Sequence, residues 1–371
     1  MLVAYVSGHG FGHATRTAEV LRAVRQEAPD LPLAVATTAP EALFRESVGD
    51  PFTYRRLVTD VGLAQRGALV IDEEATLERW RRFEAERPVL VEAEAEWLRE
   101  VGGKAVLADI PPMAFEVAER AGVPGVGLAN FSWDWIYGHI CRRNAAFGEP
   151  ARAAASAYAR AQLLLELPFA GDLGAFPRRE PIPMVARRPR RPRDETRRLL
   201  DLGSGPVVLL SFGGLGLPGF APRVLAGLEA FRFVLEAAED DLPANVRAVS
   251  RGGLEAVGLA YRDVIAAADV VVTKPGYGIV TDCIAAGVRL VYTDRGDFPE
   301  YPILVDGMAR YVPCAYVTND DVQEGRLGAA LAQVLEAPVP PPPRLDGAEV
   351  AARRLLAVAA AGREASCDPA R

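Results

Sequence analysis

The chain has 371 residues, half of them hydrophobic and a quarter charged, so wholesale disorder is excluded and two domains with sizeable cores are expected. A formal net charge of −7 argues against general nucleic-acid binding. Four scattered cysteines with no C-x-x-C pair suggest neither a zinc ribbon nor a disulfide framework, which fits a reducing, cytoplasmic setting.

The N-terminus lacks a basic signal-type region, and no apolar run approaches 18 residues, so no spanning helix is expected and only peripheral membrane contact stays open. Leu2–Ser7 is a short apolar run ending in glycines. His13–Gln26 has helical spacing, Leu33–Thr38 and Phe52–Thr59 read as strands, and Leu77–Val101 as a long amphipathic helix. Val106–Ile110, Val123–Ala129 and Leu163–Leu167 are buried strands alternating with helices at Met113–Ala121 and Ala151–Gln162. The Pro-, Gly- and Arg-rich stretch to Pro192 reads as a connector. The alternation then restarts. Strands are expected at Pro206–Phe212, Val246–Ser250, Val270–Thr273 and Arg289–Thr293, and helices at Pro222–Glu229, Tyr277–Ala286, Tyr301–Arg310, Val322–Leu335 and Gly347–Ala361. This pattern predicts an α/β protein with two parallel sheets. The boundaries fall at 1–168, a connector over 169–193, a second domain over 194–337, and a proline break, final helix and tail over 338–371.

Three turns carry chemistry. G-H-G-F-G-H (8–13) follows the first strand and opens a helix, so Gly10 and Gly12 let a ligand approach backbone N–H groups. Two of only three histidines, His9 and His13, flank it; His13 either takes a proton from a hydroxyl or caps and packs the helix. S-F-G-G-L-G (211–216) repeats the strand–turn arrangement, with Ser211, Gly213 and Gly214 placed to receive an anion or to make an ordinary turn. V-T-K-P-G-Y-G-I-V-T-D (272–282) sets Lys274, one of two lysines in the chain, beside Gly276, Tyr277 and Gly278 at a helix start. Asp282 on that helix suits ribose hydroxyls or simply the helix dipole. Asp297 and Glu300 follow the next strand, where open α/β sheets bind ligands. Trp133, Trp135 and Tyr137, with Asp134, form either an aromatic platform for a sugar or acceptor or a buried core. No P-loop, nucleophile elbow, D-x-D or H-E-x-x-H occurs, and no metal site is expected.

Together these features resemble the GT-B glycosyltransferases. The blocks S-G-H-G-F-G-H-A-T-R (7–16), A-D-I-P-P (108–112), N-F-S-W-D-W-I-Y (130–137), K-P-G-Y-G-I-V-T-D (274–282) and R-G-D-F-P-E-Y (295–301) are most similar to the glycosyltransferase-like N-terminal half of plant L-arabinokinases and its free-standing bacterial relatives. The sugar-kinase part is absent, so kinase activity does not carry over. More distantly the chain resembles the cell-wall N-acetylglucosaminyltransferase and the UDP-glycosyltransferases. That resemblance implies two Rossmann-like domains facing across a cleft and metal-independent, inverting sugar transfer from a nucleotide-diphosphate donor, by default a UDP-sugar, to an unknown acceptor, with no further cofactor. It implies His13 as the base. Gly10, Gly12, Ser211, Gly213, Gly214, Arg251, Lys274, Gly276, Tyr277, Gly278, Asp282, Asp297 and Glu300 would hold the donor, and His9, Trp133, Asp134, Trp135 and Tyr137 the acceptor. Alternatives are a nucleotide-sugar-binding module without transfer, or an epimerase or hydrolase on the same scaffold.

Overall fold

The computed structural model describes residues 1–66, 70–212, 219–236 and 241–366. In the first half the strands are β1 (Leu2–Val6), β2 (Leu33–Thr37), β3 (Thr53–Arg56), a two-stranded antiparallel ribbon of β4 (Gln65–Arg66) and β5 (Val70–Ile71), then β6 (Ala105–Asp109), β7 (Gly125–Ala129), β8 (Leu163–Glu166) and β9 (Arg179–Pro181). Helices α1 (Phe11–Glu27), α2 (Glu41–Val48), α3 (Glu73–Glu100), α4 (Met113–Ala121), α5 (Trp133–Cys141) and α6 (Gly148–Tyr158) alternate with them. The second half carries α7 (Arg193–Leu199), β10 (Val207–Ser211), β11 (Arg232–Glu236), β12 (Val246–Val249), α8 (Arg251–Ala256), α9 (Tyr261–Ala267), β13 (Val270–Thr273), α10 (Tyr277–Ala286), β14 (Arg289–Tyr292), α11 (Glu300–Met308), β15 (Cys314–Tyr316), α12 (Asn319–Gln323), α13 (Gly328–Glu336) and α14 (Gly347–Ser366).

Both main sheets are parallel. The first runs β3-β2-β1-β6-β7-β8-β9 and the second β12-β11-β10-β13-β14-β15. Parallel strands must be covered on both faces, and the sequence obeys this with strands that are apolar throughout. Alternate residues of β1 feed two separate cores: Val3 and Tyr5 face the α3–α4 side, while Leu2, Ala4 and Val6 face α1 and α14. The second sheet divides likewise, Leu209 and Val271 on one face, Val208, Leu210, Val270 and Val272 on the other. α14 returns from the second half to bury Ala351, Ala352 and Leu355 against the first.

In each sheet the strand order reverses beside the first strand of the half, between β1 and β6 and between β10 and β13. Such a switch point leaves a crevice at the carboxyl ends of the two strands, because their following connections diverge to opposite faces. The His13 turn leaves β1 and the Lys274 turn leaves β13, so both open onto these crevices.

Local expectations were corrected at several places. The connector contributes an edge strand, β9, paired with β8. The helix expected over Pro222–Glu229 is only a 3-10 turn at Pro222–Leu225. The helix expected over Val322–Leu335 divides into α12 and α13. Helix α3 starts earlier than its apolar spacing indicates, because Asp72 caps it by accepting from Ala75 N at 3.1 Å.

Candidate active site

The first wall of the site is built where β1 gives way to α1. Gly10 has φ 84°, a left-handed conformation that favours glycine, and it turns the chain so that α1 begins at Phe11. His13 is therefore in the first turn of α1. The parallel register sets Val6 opposite Asp109, the last residue of β6, so a carboxylate arrives beside the histidine. Asp109 is fully buried and accepts four hydrogen bonds: from His13 Nδ1 (2.7 Å), Arg16 Nη2 (2.5 Å), Arg16 Nε (2.7 Å) and Thr17 Oγ1 (2.8 Å). Burial alone would raise its pKa, but Arg16 and His13 outweigh that and hold the carboxyl at about 2.

A carboxylate only accepts, so Nδ1 of His13 carries the proton and Nε2 is left as the basic nitrogen. The opposite tautomer would press a lone pair against Asp109 Oδ1 at 2.7 Å. Arg16 Nη2 also lies 3.1 Å from Nδ1, a second donor competing for the same nitrogen.

From Arg16 a chain of charge-assisted bonds crosses to the second half. Arg16 Nη1 donates to Asn130 Oδ1 (2.7 Å), Asn130 Nδ2 donates to Glu300 Oε1 (2.6 Å), and Arg295 Nη1 donates to Glu300 Oε2 (2.8 Å) and to the carbonyl of Pro275 (3.0 Å). The two glycine turns also meet directly. A Cβ on Gly278 would lie 3.4 Å from Cα of Gly12, so α1 and α10 bring their N-termini together. Lys274 stands at this junction, and burial followed by the charge of Arg295 lowers its pKa to about 8. His9 is pushed down to about 3 by burial and then by His13, Arg295 and Lys274, so it is neutral. His9, His13, Lys274 and Arg295 thus gather about the meeting N-termini of α1 and α10, with the carboxylates of Asp109 and Glu300 already bonded to His13 and Arg295; helix N-termini and cations of this kind attract an anion.

The remaining candidates divide. Trp133 and Tyr137 are not an open platform: both are buried and stacked with centroids 5.7 Å apart. Trp133 backs His9 edge-on at 5.3 Å and donates its indole N–H to Asp60 at 2.8 Å. Trp135 is half-buried over Gly171, and Asp134 is half-buried at the start of α5, its carboxyl raised by burial. Asp282 is not open to a ribose. It is buried and taken by Arg187, which donates from its backbone N (3.0 Å), Nε (2.9 Å) and Nη2 (2.5 Å). Glu300 is likewise buried, with Oε1 accepting from Asn130 and Oε2 from Arg295. Tyr277 is buried between the halves, its ring under the Arg16 guanidinium at 5.1 Å. Asp297 is exposed and gripped from the first half by His139 Nε2 (2.8 Å) and Arg143 Nη1 (2.6 Å). Ser211 is buried and accepts from Tyr261 Oη at 2.8 Å. Arg251 is exposed on α8 and pairs with Glu255. Gly276 caps α10. Gly213 and Gly214 lie outside the described residues. Among those described, no group of histidine, cysteine and carboxylate side chains is arranged to hold a metal ion.

Sequence reasoning gave no role to Arg16, Asp109, Asn130 or Arg295. A signal existed for three of them. Asp109 and Asn130 each close an apolar strand run with a polar residue, and Arg16 follows His13 by three positions, hence on the same helix face.

No family model matches the chain. It is 31% identical to L-arabinokinase of Arabidopsis thaliana over 98% of its own length, and it spans 35% of that relative. Among solved structures it is similar to the glycotransferase of kitacinnamycin (18% identity, TM-score 0.60, 98% of each chain). It is also similar to Phytolacca americana UGT2 complexed with UDP-2-fluoro-glucose and pterostilbene (12% identity, TM-score 0.60, 99% of this chain and 96% of that one). The calicheamicin glycosyltransferase CalG4 matches at 16% identity and TM-score 0.56, over 100% and 99%. With its two parallel sheets and facing switch points, the chain has the GT-B fold.

Proposed function

We propose that the protein is a metal-independent, inverting glycosyltransferase that moves a sugar from a nucleoside-diphosphate donor to an acceptor hydroxyl. The observation that carries this reading is the His13–Asp109 pair at the switch point of one sheet, set against the Lys274 turn at the switch point of the other. A base and an anion cradle on opposite walls of one crevice are the two parts such a transfer needs. The relatives and neighbours named as acting on sugars support it.

The donor diphosphate would lie against Lys274, Arg295 and the N-terminus of α10. His13 Nε2 takes the proton from the acceptor hydroxyl as its oxygen bonds to the anomeric carbon. The electron pair of the breaking glycosidic bond leaves on the β-phosphate oxygen, where the cationic groups stabilise it; each well-placed donor of this kind contributes about 3 kcal/mol in the transition state. Asp109 keeps His13 in the productive tautomer and balances the imidazolium. One displacement on one face inverts the anomeric centre. UDP-sugars are the first donors to test. Incubation with UDP-, dTDP-, GDP- and ADP-sugars across an acceptor panel, followed by proton NMR, should show a glycoside of opposite anomeric configuration together with diphosphate release. Retention, or release with water alone, would contradict the reading.

Tight diphosphate binding with no turnover across the whole panel would select instead sugar-nucleotide binding without transfer.

A further inference from the structure

More contacts meet at His9 than a turn residue needs. Its backbone N–H donates to Ser7 Oγ (3.2 Å), and Ser7 Oγ donates to Asp60 Oδ1 (3.0 Å). The other oxygen of Asp60 takes the indole N–H of Trp133, whose ring backs His9 edge-on. Tyr137 Oη donates to the carbonyl of Gly62 (3.0 Å) and holds the loop over 57–64 against the imidazole, so that a Cβ on Gly62 would lie 2.8 Å from His9 Nδ1. The Leu63 N–H then donates to that same nitrogen at 3.4 Å. Trp133 and Tyr137, interior rather than open, thus serve to fix this histidine.

A backbone N–H only donates, so Nδ1 of His9 offers its lone pair and the ring hydrogen sits on Nε2. The bond is long, yet an Nδ1–H would face another N–H across the same gap. Among the described residues no hydrogen bond is made at Nε2, and the ring is only half-buried, so that edge stays open. The two histidines of the turn therefore carry opposite tautomers: His13 presents a lone pair at Nε2, and His9 presents a hydrogen. Burial and the charges of His13, Arg295 and Lys274 keep His9 neutral, which places it beside the cations that line the crevice.

A donor at this place helps one reactant only. A hydrogen bond given to the acceptor hydroxyl oxygen would occupy the lone pair that attacks the anomeric carbon. One given to the departing diphosphate strengthens as negative charge grows there. We propose that His9 is a diphosphate ligand, its neutral Nε2–H donating to a phosphate oxygen of the nucleotide from the first half of the chain. His9 then belongs to the donor rather than the acceptor. The role rests on the crevice being a diphosphate site; it needs neither His13 nor transfer.

The chain has three histidines, so imidazole nitrogen signals are few enough to assign. In the ligand-free protein at about pH 8.5, two units above the ordinary histidine pKa of about 6.5, 15N shifts should show His9 as the Nε2–H form, and the Nδ1–H form would overturn the proposal. This measurement uses wild type and stands even if a variant fails to fold. Titrations with UDP, dTDP, GDP and ADP and with their nucleosides test the bond itself. A hydrogen bond to a charged group is worth about 10–100-fold in affinity, so His9→Leu should weaken the best-bound diphosphate by about that much and leave the matching nucleoside unaffected. His9→Gln, whose amide N–H reaches about as far as Nε2, should stay within about threefold of wild type. His9→Gln binding as weakly as His9→Leu, or an equal loss for the nucleoside, would mean packing rather than donation and overturn the role. Lys274→Ala separates the two claims. Loss with Lys274→Ala but not with His9→Leu overturns the role of His9 alone, and loss with neither overturns the diphosphate site as well.

Discussion

Replacing Asp109 with Asn removes one charge and exchanges a fourfold acceptor for a group that accepts on one side and donates on the other. Arg16 would stay buried without its counter-ion, and breaking a buried pair in this way costs about 3–5 kcal/mol. The depressed carboxyl gives an independent figure. A shift from 3.8 to about 2 corresponds to about 2 kcal/mol of stability from ionisation alone. Because the folded pKa lies below the unfolded one, this stability is present above pH 4 and is lost as pH falls through 2; about half of it is gone at pH 3. The larger figure applies at pH 7, since Asn also fails to satisfy Arg16. All four tryptophans, Trp80, Trp97, Trp133 and Trp135, lie in the half that contains Asp109, so urea unfolding followed by tryptophan fluorescence reads the relevant sheet. The variant should be less stable by about 3–5 kcal/mol at pH 7, with the gap narrowing by about 1 kcal/mol at pH 3. A difference below about 1 kcal/mol at pH 7, or a gap that widens in acid, would refute the assigned pairing.

Other consequences are open to direct measurement. If UDP binds against Lys274, its phosphates restore the ordinary lysine pKa, so binding should take up about half a proton at pH 8; calorimetry in two buffers of different ionisation heat would show this, and no buffer dependence at pH 8 would exclude the contact. Arg187→Ala and Asp282→Ala should each destabilise by about 3–5 kcal/mol, as measured by circular dichroism. The double variant should be far less destabilised than their sum, and strict additivity would show that the pair is not coupled. Gly278→Ala adds a methyl at ordinary contact distance from Gly12 and should be nearly neutral, whereas Gly278→Leu should push the halves apart and enlarge the radius of gyration in solution scattering. An unchanged radius for the leucine variant would contradict the seam described above.

The sheets were legible because apolar strands ending in glycine turns leave few alternatives to a covered parallel sheet. β1, β6, β7, β10 and β13 all lie within or beside the expected runs, and the crevices follow from their order. Short elements held by partners distant in sequence were not legible: β9 and β15 are edge strands of three residues whose pairing supplies what their sequence lacks. At the site, the glycine turns and histidines announced themselves by residue type. The engagements of Asp282 with Arg187 and of Glu300 with Asn130 did not, because each joins residues 95 or more positions apart and a lone carboxylate reads equally as ligand or ion-pair partner. Trp133 and Tyr137 have the composition of a sugar platform, and only the packing of α5 against the sheet shows them to be its interior.

The comparison that bears hardest on the account is His13→Ala against wild type, with diphosphate release and diphosphate binding measured on the same preparations. Proton transfer by a positioned base contributes about 10²–10⁴-fold, so the rate should fall by at least 10² while affinity for the free diphosphate stays within a few-fold. Equal rates in the two proteins would contradict the role given to His13.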